Sequence, residues 1–505
     1  MLGFEGRRRG DVDDYLNTSL IGVQGELDNK QAERLKRFKR NWNFYDGYHW
    51  EEMPDVDSPE LTTNYCRVFV DKFVAFELGE AFTISTHPSM SESVVTTDNR
   101  TLFEYIEDVW EDNNQYTFIT EVGQMKSVTG ESWVQVRYFS PNELNDPFGE
   151  YPMGRIRLML LPSSTVFPEF DPHDRSKLLK LTIMYQYDKL VKTGILGRTS
   201  KKRVLFKQVW TDEECIVTDD GKTETYPNKY KVIPFTLIKN LPIACRTEGL
   251  SDLEDIIPLN VELNLKKSNV SEIIDYHAAP VTVVYGAKVG SLEKGANKMW
   301  GGLAKDARIE NLELKGDLGA STSYISDLRL SMCEVGGVPE GVLGGSQSIS
   351  NTSGVAMQYM NLPIIEKTRL KRQETENGLE RINKLIILIS MLEGIIRKPS
   401  DVSLRDFFHT ECEIPDTLPK DALLELQQIQ IEMQLGIETR KGGAKRMGKE
   451  NIDTLLSEVD EDRQKHPEFY GGSKEGPQLN SGMTNGQTPE EQYRIETTGQ
   501  NGGAE

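Results

Sequence analysis

Gly336-Gly337-Val338-Pro339-Glu340-Gly341-Val342-Leu343-Gly344-Gly345-Ser346-Gln347-Ser348-Ile349-Ser350-Asn351-Thr352-Ser353-Gly354 runs straight into a helix-forming stretch that continues to Arg397. No charged side chain occurs from Gly341 to Ile365. Glycine accepts positive φ, and Ser, Asn and Thr side chains bond their own backbone, so 343–354 suits neither strand nor helix and reads as a loop. The 43 residues from Val355 to Arg397 are rich in Leu, Ile, Glu, Lys and Arg, a helix composition. Unbroken, they would span roughly 65 Å. Pro363 predicts a kink, because proline removes a backbone donor and collides with the preceding turn. On composition alone, the pair reads as a surface loop ahead of a core helix.

Working outward, 251–277 has the pattern of another helix. Ser251 stands at the N-cap, Asp252, Glu254 and Asp255 in the first turn, and Pro258 at a bend. Residues 278–320 read as a small α/β insertion: a strand at 281–285, a short helix at 292–303 carrying Lys294, Lys298 and Trp300, and a strand at 308–314. Ser321–Val335 is helical again. Two helices around a small tip make a stalk, followed by the loop and the long helix.

Before the stalk, helices are predicted over 29–48, 62–78, 102–110 and 117–129, the last ending at Gly130. The run Trp133–Tyr138 alternates with period two. Further strand-like runs at 156–161, 179–187, 204–210, 215–218 and 232–238 complete a mixed α+β region. After the long helix, 418–436 and 450–465 are helical, with Gly442-Gly443 interrupting the hairpin between them. Residues from Tyr470 onward have the composition of a disordered tail.

Composition narrows the functional classes. The chain has 505 residues and a net charge of −20, too acidic for a protein that clamps nucleic acid by neutralising phosphates. The longest apolar run, Leu385–Leu392, is too short for a membrane span. Acidic residues follow Arg7–Arg9 where a leader's apolar segment would stand, so a cytosolic product is the simplest expectation. The five cysteines are scattered and form no C-x-x-C pair, indicating neither disulfide framework nor zinc site. No Walker loop, Gly-x-Ser-x-Gly elbow or metal-spaced histidine set is present. Glu169, Asp171 and Asp174 form an acidic cluster, lying beside Pro168 and Pro172 as an acidic turn would. No cofactor, metal or catalytic residue is expected. The competing readings are a metal- or nucleotide-dependent enzyme using that cluster, and a non-channel scaffold.

Four stretches carry a resemblance. They are Asn64-Tyr65-Cys66-Arg67-Val68-Phe69-Val70-Asp71 running into Leu78-Gly79, the Gly130-Glu131-Ser132-Trp133 turn into a strand, Gly249-Leu250-Ser251-Asp252-Leu253-Glu254, and Gly341–Gly354 before the long helix. In order and spacing, over most of 30–465, the chain resembles the portal proteins of tailed bacteriophages, most closely the branch from long-tailed phages of Gram-positive hosts. The resemblance implies an N-terminal arm (1–29), a mixed wing (30–246) and a helical stem (247–277 and 321–335). It further implies a small α/β clip (278–320), a tunnel-loop region (336–354), a long kinked helix (355–399), a helical crown (400–469) and a tail (470–505). It implies a non-enzymatic ring, a dodecamer, at the capsid vertex of the virion, assembled in the host cytoplasm. Its partners would be double-stranded DNA passing through the channel, the terminase large subunit, major capsid and scaffolding proteins, and head-completion proteins. Leu343, Gly344, Gly345, Ser346, Gln347, Ser348, Ile349, Ser350, Asn351, Thr352 and Ser353 would face DNA, and Lys294, Lys298 and Trp300 would contact partners at the clip. An uncharged loop fits that role, since it touches a moving duplex without phosphate salt bridges.

Overall fold

The computed structural model describes residues 27–52, 61–90, 93–144, 146–193, 198–278, 282–285, 308–311, 318–344, 359–415, 422–447 and 452–466. The chain divides into two units, Met1–Leu418 and Pro419–Glu505. Residues 400–418, which the sequence groups with the C-terminal helices, therefore fall in the first unit.

Helix α1 (Asn29–Asp46) opens with a reciprocal capping box between Asp28 and Gln31, and α2 (Tyr65–Leu78) is capped by the Asn64 carboxamide, which accepts from the Arg67 amide. Strand β1 (Thr83–Thr86) precedes α3 (Leu102–Asp112), which starts with a Thr101/Glu104 capping box, and α4 (Gln115–Thr129). Helix α4 stops at Gly130, whose φ of 93° is the left-handed geometry of a C-cap.

Among the described residues ten strands, β2 to β11, follow through the mixed region, all paired antiparallel. A three-stranded sheet has the order β3 (Arg155–Leu161), β2 (Glu131–Phe139), β9 (Phe235–Lys239); the short helix α5 (Pro141–Leu144) joins β2 to β3. A five-stranded sheet runs in sequence order: β4 (Val166–Phe170), β5 (Leu178–Thr193), β6 (Arg198–Trp210), β7 (Glu214–Asp219) and β8 (Lys222–Pro227). Short β10 (Leu241–Pro242) pairs with β11 (Gly249–Leu250). The period-two pattern of 133–138 holds, but β2 is central and both faces are covered as far as Val136. Val134 and Val136 enter the main core with α3 and α4, while Trp133 joins Val166, Leu181, Ile183 and Phe235 in a separate cluster.

Helix α6 (Ile256–Ala278) and α7 (Leu318–Gly336) pack along each other. Between them the described residues are β12 (Thr282–Tyr285), paired with β13 (Arg308–Asn311). The segment predicted helical at 292–303, with Lys294, Lys298 and Trp300, lies outside the described residues. One polar stripe on α6 explains the Asn64–Asp71 motif. The Asn260 carboxamide oxygen accepts from the Tyr65 and Cys66 amides (3.0 and 3.2 Å), Asn264 from Thr63 (2.9 Å), and the Ser268 hydroxyl from Leu61 (3.1 Å). All three side chains are fully buried, so α6 supplies the hydrogen bonds that the approach to α2 would otherwise lose to desolvation.

Helix α8 (Leu362–Leu392) is followed by the short α9 (Leu404–Phe407) and β14 (Thr410–Glu413), which pairs with β1. The predicted kink is corrected: Pro363 stands in the first turn of α8, where its missing N–H has no intrahelical partner to lose. Pro258 likewise lies in the first turn of α6 rather than at a bend. In the second unit, α10 (Ala422–Gln434), α11 (Arg440–Arg446) and α12 (Ile452–Lys465) are joined by ion pairs from Arg446 to Glu432 and from Arg440 to Asp460. Gly442-Gly443 does not interrupt a helix but lies inside α11. A Cβ at Gly443 would meet Ile429 at 2.8 Å, so its small size permits the contact with α10.

The helix predicted from Ser251 starts only at Ile256. Residues 251–255 form a turn docked on the C-terminus of α4: the Asp252 amide donates to the Ser127 carbonyl (2.9 Å), and the Ser251 hydroxyl lies 2.7 Å from that of Val128. Asp252 is thereby buried rather than placed at a helix dipole, and it meets α8. Lys371 of α8 bonds Asp252 (2.7 Å) and lies 3.4 Å from Glu77 of α2; Glu77 in turn pairs with Lys126 of α4. Thr375 accepts from Lys126 (2.7 Å) and donates to Glu77 (2.8 Å). All four charged side chains are fully buried. Burial alone would raise the two carboxyls, but Lys371 with Lys367 at Asp252, and Lys126 with Lys371 at Glu77, outweigh it and hold both below their usual range.

Removing one member leaves a charge buried without its partner. Asp252→Ala should lower stability by about 3–5 kcal/mol in a denaturant titration. Because both carboxyls are depressed in the folded state, their contribution is complete above about pH 4–5 and is lost as pH falls through the folded values. Asp252→Asn should flatten the acid limb of the thermal midpoint; identical acid limbs in the two proteins would exclude Asp252 as its source.

Candidate functional site

The candidate site is the base of the uncharged loop. On its N-terminal side, α7 drives Leu328 and Met332 into a core with Phe69 and Phe73 of α2 and Leu263 of α6. Gly336 ends the helix against Phe69, and a Cβ there would lie 2.3 Å from the ring. Only glycine lets the helix end approach that closely. Lys367 of α8 donates to the Gly336 carbonyl (3.0 Å), placing a cation at the negative end of α7. The same ammonium sits 4.2 Å from the centre of the Phe73 ring and 3.5 Å from Asp252, so one side chain ties the loop base to the buried ion network.

Past Gly336, Val338 is fully buried and Pro339 leads into a 3-10 turn, Glu340–Leu343, held by an ion pair from Glu340 to Arg329 of α7. Val342 and Leu343 pack against the Phe69 core. Gly344 closes the turn at φ 87°, with open space around it; the left-handed backbone, not crowding, calls for glycine there.

On the C-terminal side, Tyr359 and Met360 are exposed, Pro363 starts α8, and Ile364 is fully buried in the same core as Val338, with Ile365 packed beside it. Both ends of the stretch are thus set in one hydrophobic cluster. Of the loop residues proposed from sequence, Leu343 and Gly344 have these places; Gly345, Ser346, Gln347, Ser348, Ile349, Ser350, Asn351, Thr352 and Ser353 lie outside the described residues.

The carboxylates of the acidic turn are engaged by their own turn and a neighbouring lysine. Asp171 accepts from the His173 amide (2.8 Å), Asp174 from Ser176, and Glu169 pairs with Lys180 (2.6 Å). Among the described residues, no group of His, Cys, Asp or Glu is arranged to hold a metal ion, and no helix is long and apolar enough to cross a membrane. The residues that sequence reading missed are Glu77, Lys126, Lys367 and Lys371. For Lys371 the one signal was periodicity: Thr368, Lys371, Thr375, Asn383 and Ser390 fall on the same stripe of α8 as its buried isoleucines.

Gly336→Ala should cost about 1–3 kcal/mol through overpacking against Phe69. Much of that loss should return in the double variant with Phe69→Leu, measured as a coupling energy in a denaturant double-mutant cycle. Additive losses would mean that the two residues do not limit each other.

No curated protein matches the chain. Residues 24–465 match the family model described as phage portal protein, SPP1 Gp6-like. That family is structural: it supplies the portal at the vertex of the bacteriophage capsid, with roles in DNA packaging and head–tail connection, and implies an oligomeric ring in contact with capsid and DNA. With the match covering far more than half of its length, the chain belongs to the SPP1 Gp6-like family of phage portal proteins.

Proposed function

We propose that this chain forms a dodecameric ring whose central channel carries double-stranded DNA into the capsid during packaging and out of it during ejection. The observation that carries the reading is the loop base. A stretch free of charge from Gly341 to Ile365 leaves and re-joins one rigid core, through Val338, Val342 and Leu343 on one side and Ile364 and Ile365 on the other. A loop so rooted presents 343–353 to DNA without cations that would hold phosphates.

The subunit then divides into wing (30–246), stem (247–277 and 321–335), clip (278–320), tunnel-loop region (336–354), long helix (355–399) and crown (400–469). Terminase large subunit and head-completion proteins dock at the clip, with Lys294, Lys298 and Trp300 as contacts. Major capsid and scaffolding proteins meet the ring during assembly. Support for ring contacts comes from large apolar side chains left in water on the stem helix and at the start of α8: Leu330 is 48 %, Val335 53 % and Tyr359 73 % exposed.

Two measurements test this. Leu330→Asp combined with Val335→Asp should abolish ring particles in negative-stain images while the subunit keeps its far-ultraviolet circular dichroism; intact rings would remove the stem from the subunit contacts. Ser348→Lys with Ser350→Lys should shorten the DNA packaged per particle, because each lysine adds a phosphate contact to every subunit of the ring. Full-length packaging by that variant would sink the assignment of the loop to the channel.

A further inference from the structure

The fold contains a cavity of about 620 Å³ that shares no residue with the loop base. It opens between the three-stranded sheet, the middle of α8 and the turn before β5. Four cationic side chains line it: Arg175, Lys239 of β9, and Arg381 and Lys384 of α8. Among the described residues no carboxylate lines it, in a chain whose net charge is −20. The polar contacts of two of these cations are with backbone oxygens, Arg175 with the Cys245 carbonyl and Lys239 with that of Arg246 (3.4 Å). Among the described residues, none of the four makes an ion pair with Asp or Glu. Arg381 and Lys384, three residues apart on one helix face, are exposed.

The cavity wall is apolar: Phe235, Leu237, Leu385, Leu388 and Phe408 contribute side chains to it. A concave apolar surface of this size ringed by unneutralised cations selects an apolar group flanked by negative charge. The shape extends beyond a small molecule, because Phe170, Arg175 and Thr247 also line an adjoining groove of about 1200 Å³ that follows α1. In that groove the positive charge is partly answered, with Arg37 paired to Glu248 and Arg40 to Glu254. Carboxylates (Glu33, Asp171, Glu248 and Glu254) stand among the cations of that groove, whereas among the described residues the charges lining the apolar cavity are cations alone. A nucleic-acid backbone would need a row of phosphate contacts but has no aliphatic group to fill the hydrophobic wall, whereas an extended acidic peptide provides both charge and side chain.

We propose that this cavity is a docking site for an acidic peptide segment of a protein partner, which inserts a large apolar side chain against Leu385, Leu388 and Phe408 while flanking carboxylates meet Arg381, Lys384, Lys239 and Arg175. The proposal goes beyond the portal role and is tested on the isolated full chain, without ring assembly or DNA packaging.

The probe is a short fluorescein-labelled peptide with a Trp-Leu pair flanked by aspartates, followed by fluorescence anisotropy against the full-length protein. Saturable binding is expected, weakened at least about tenfold by the double variant Arg381→Glu and Lys384→Glu, and similarly by replacing the aspartates with asparagine or Trp-Leu with serines. The milder pair Arg381→Gln and Lys384→Gln, at the same exposed positions, serves if the charge reversal alters the circular dichroism. No saturable binding, equal binding by the neutralised variant, equal binding of the peptide lacking Trp-Leu, or tighter binding of a labelled oligothymidylate would each overturn the proposal.

Discussion

Four fully buried charges, Glu77, Lys126, Asp252 and Lys371, come from four separate stretches of the first unit and must arrive together. Taking any one of them out of water costs several kcal/mol, and only the full set repays that cost. Their value lies in specification more than in net stability. If α8 slid by one residue, Lys371 would leave both carboxylates behind, and no neighbouring residue of α8 could replace it: Leu370 carries no charge, while the Arg372 guanidinium already donates to the Phe76 carbonyl (2.9 Å). The network thus sets the register of the helix on which the uncharged loop depends.

The same helix is pinned farther along by neutral bonds. The Trp110 indole donates to Asn383 (2.8 Å), whose amide reaches the Cys412 sulfur, and the Tyr105 hydroxyl lies 2.7 Å from that of Ser390. Ionic at one end and neutral at the other, the polar stripe runs through an otherwise aliphatic face containing Leu379, Ile382, Ile386 and Ile389. Helix propensity alone would not fix α8 in one register, and the stripe supplies what it lacks. His49 follows the same logic on a smaller scale. The Asn264 amide donates to its Nδ1, leaving Nε2 to donate to the Phe44 carbonyl, and burial lowers its pKa, so it behaves as a neutral core group.

Much of the first unit was legible in the sequence, because its helices announce themselves by caps and apolar spacing: Asp28 with Gln31, Thr101 with Glu104, Gly130 after Thr129. Strands were found where alternation or β-branching was strong and missed where it was weak. Lys222–Pro227 reads as polar loop because every one of its residues is exposed, and Val166–Phe170 contains a proline. Both prolines taken as kinks were helix starts, since local sequence does not tell a first turn from an interior one. Ser251–Asp255 has the composition of a helix N-terminus, yet the carbonyls at the end of α4 claimed its polar groups first. The loop was legible in the residues only as an uncharged segment, and its channel-facing role came from the resemblance. Its root was not legible, because a buried ion network depends on partners as far apart in sequence as Glu77 and Lys371.

The pairing of β1 with β14 joins Thr83 to Glu413 and Thr86 to Thr410 across most of the first unit. During synthesis β1 is made early and its partner late. At ribosomal rates of about 5–20 residues per second, the two are separated by some tens of seconds. Until β14 is made the edge of β1 stands open, and for most of that interval the isoleucines of α8 that close the main core do not yet exist. The first unit is therefore completed only once β14 has been made, long after β1.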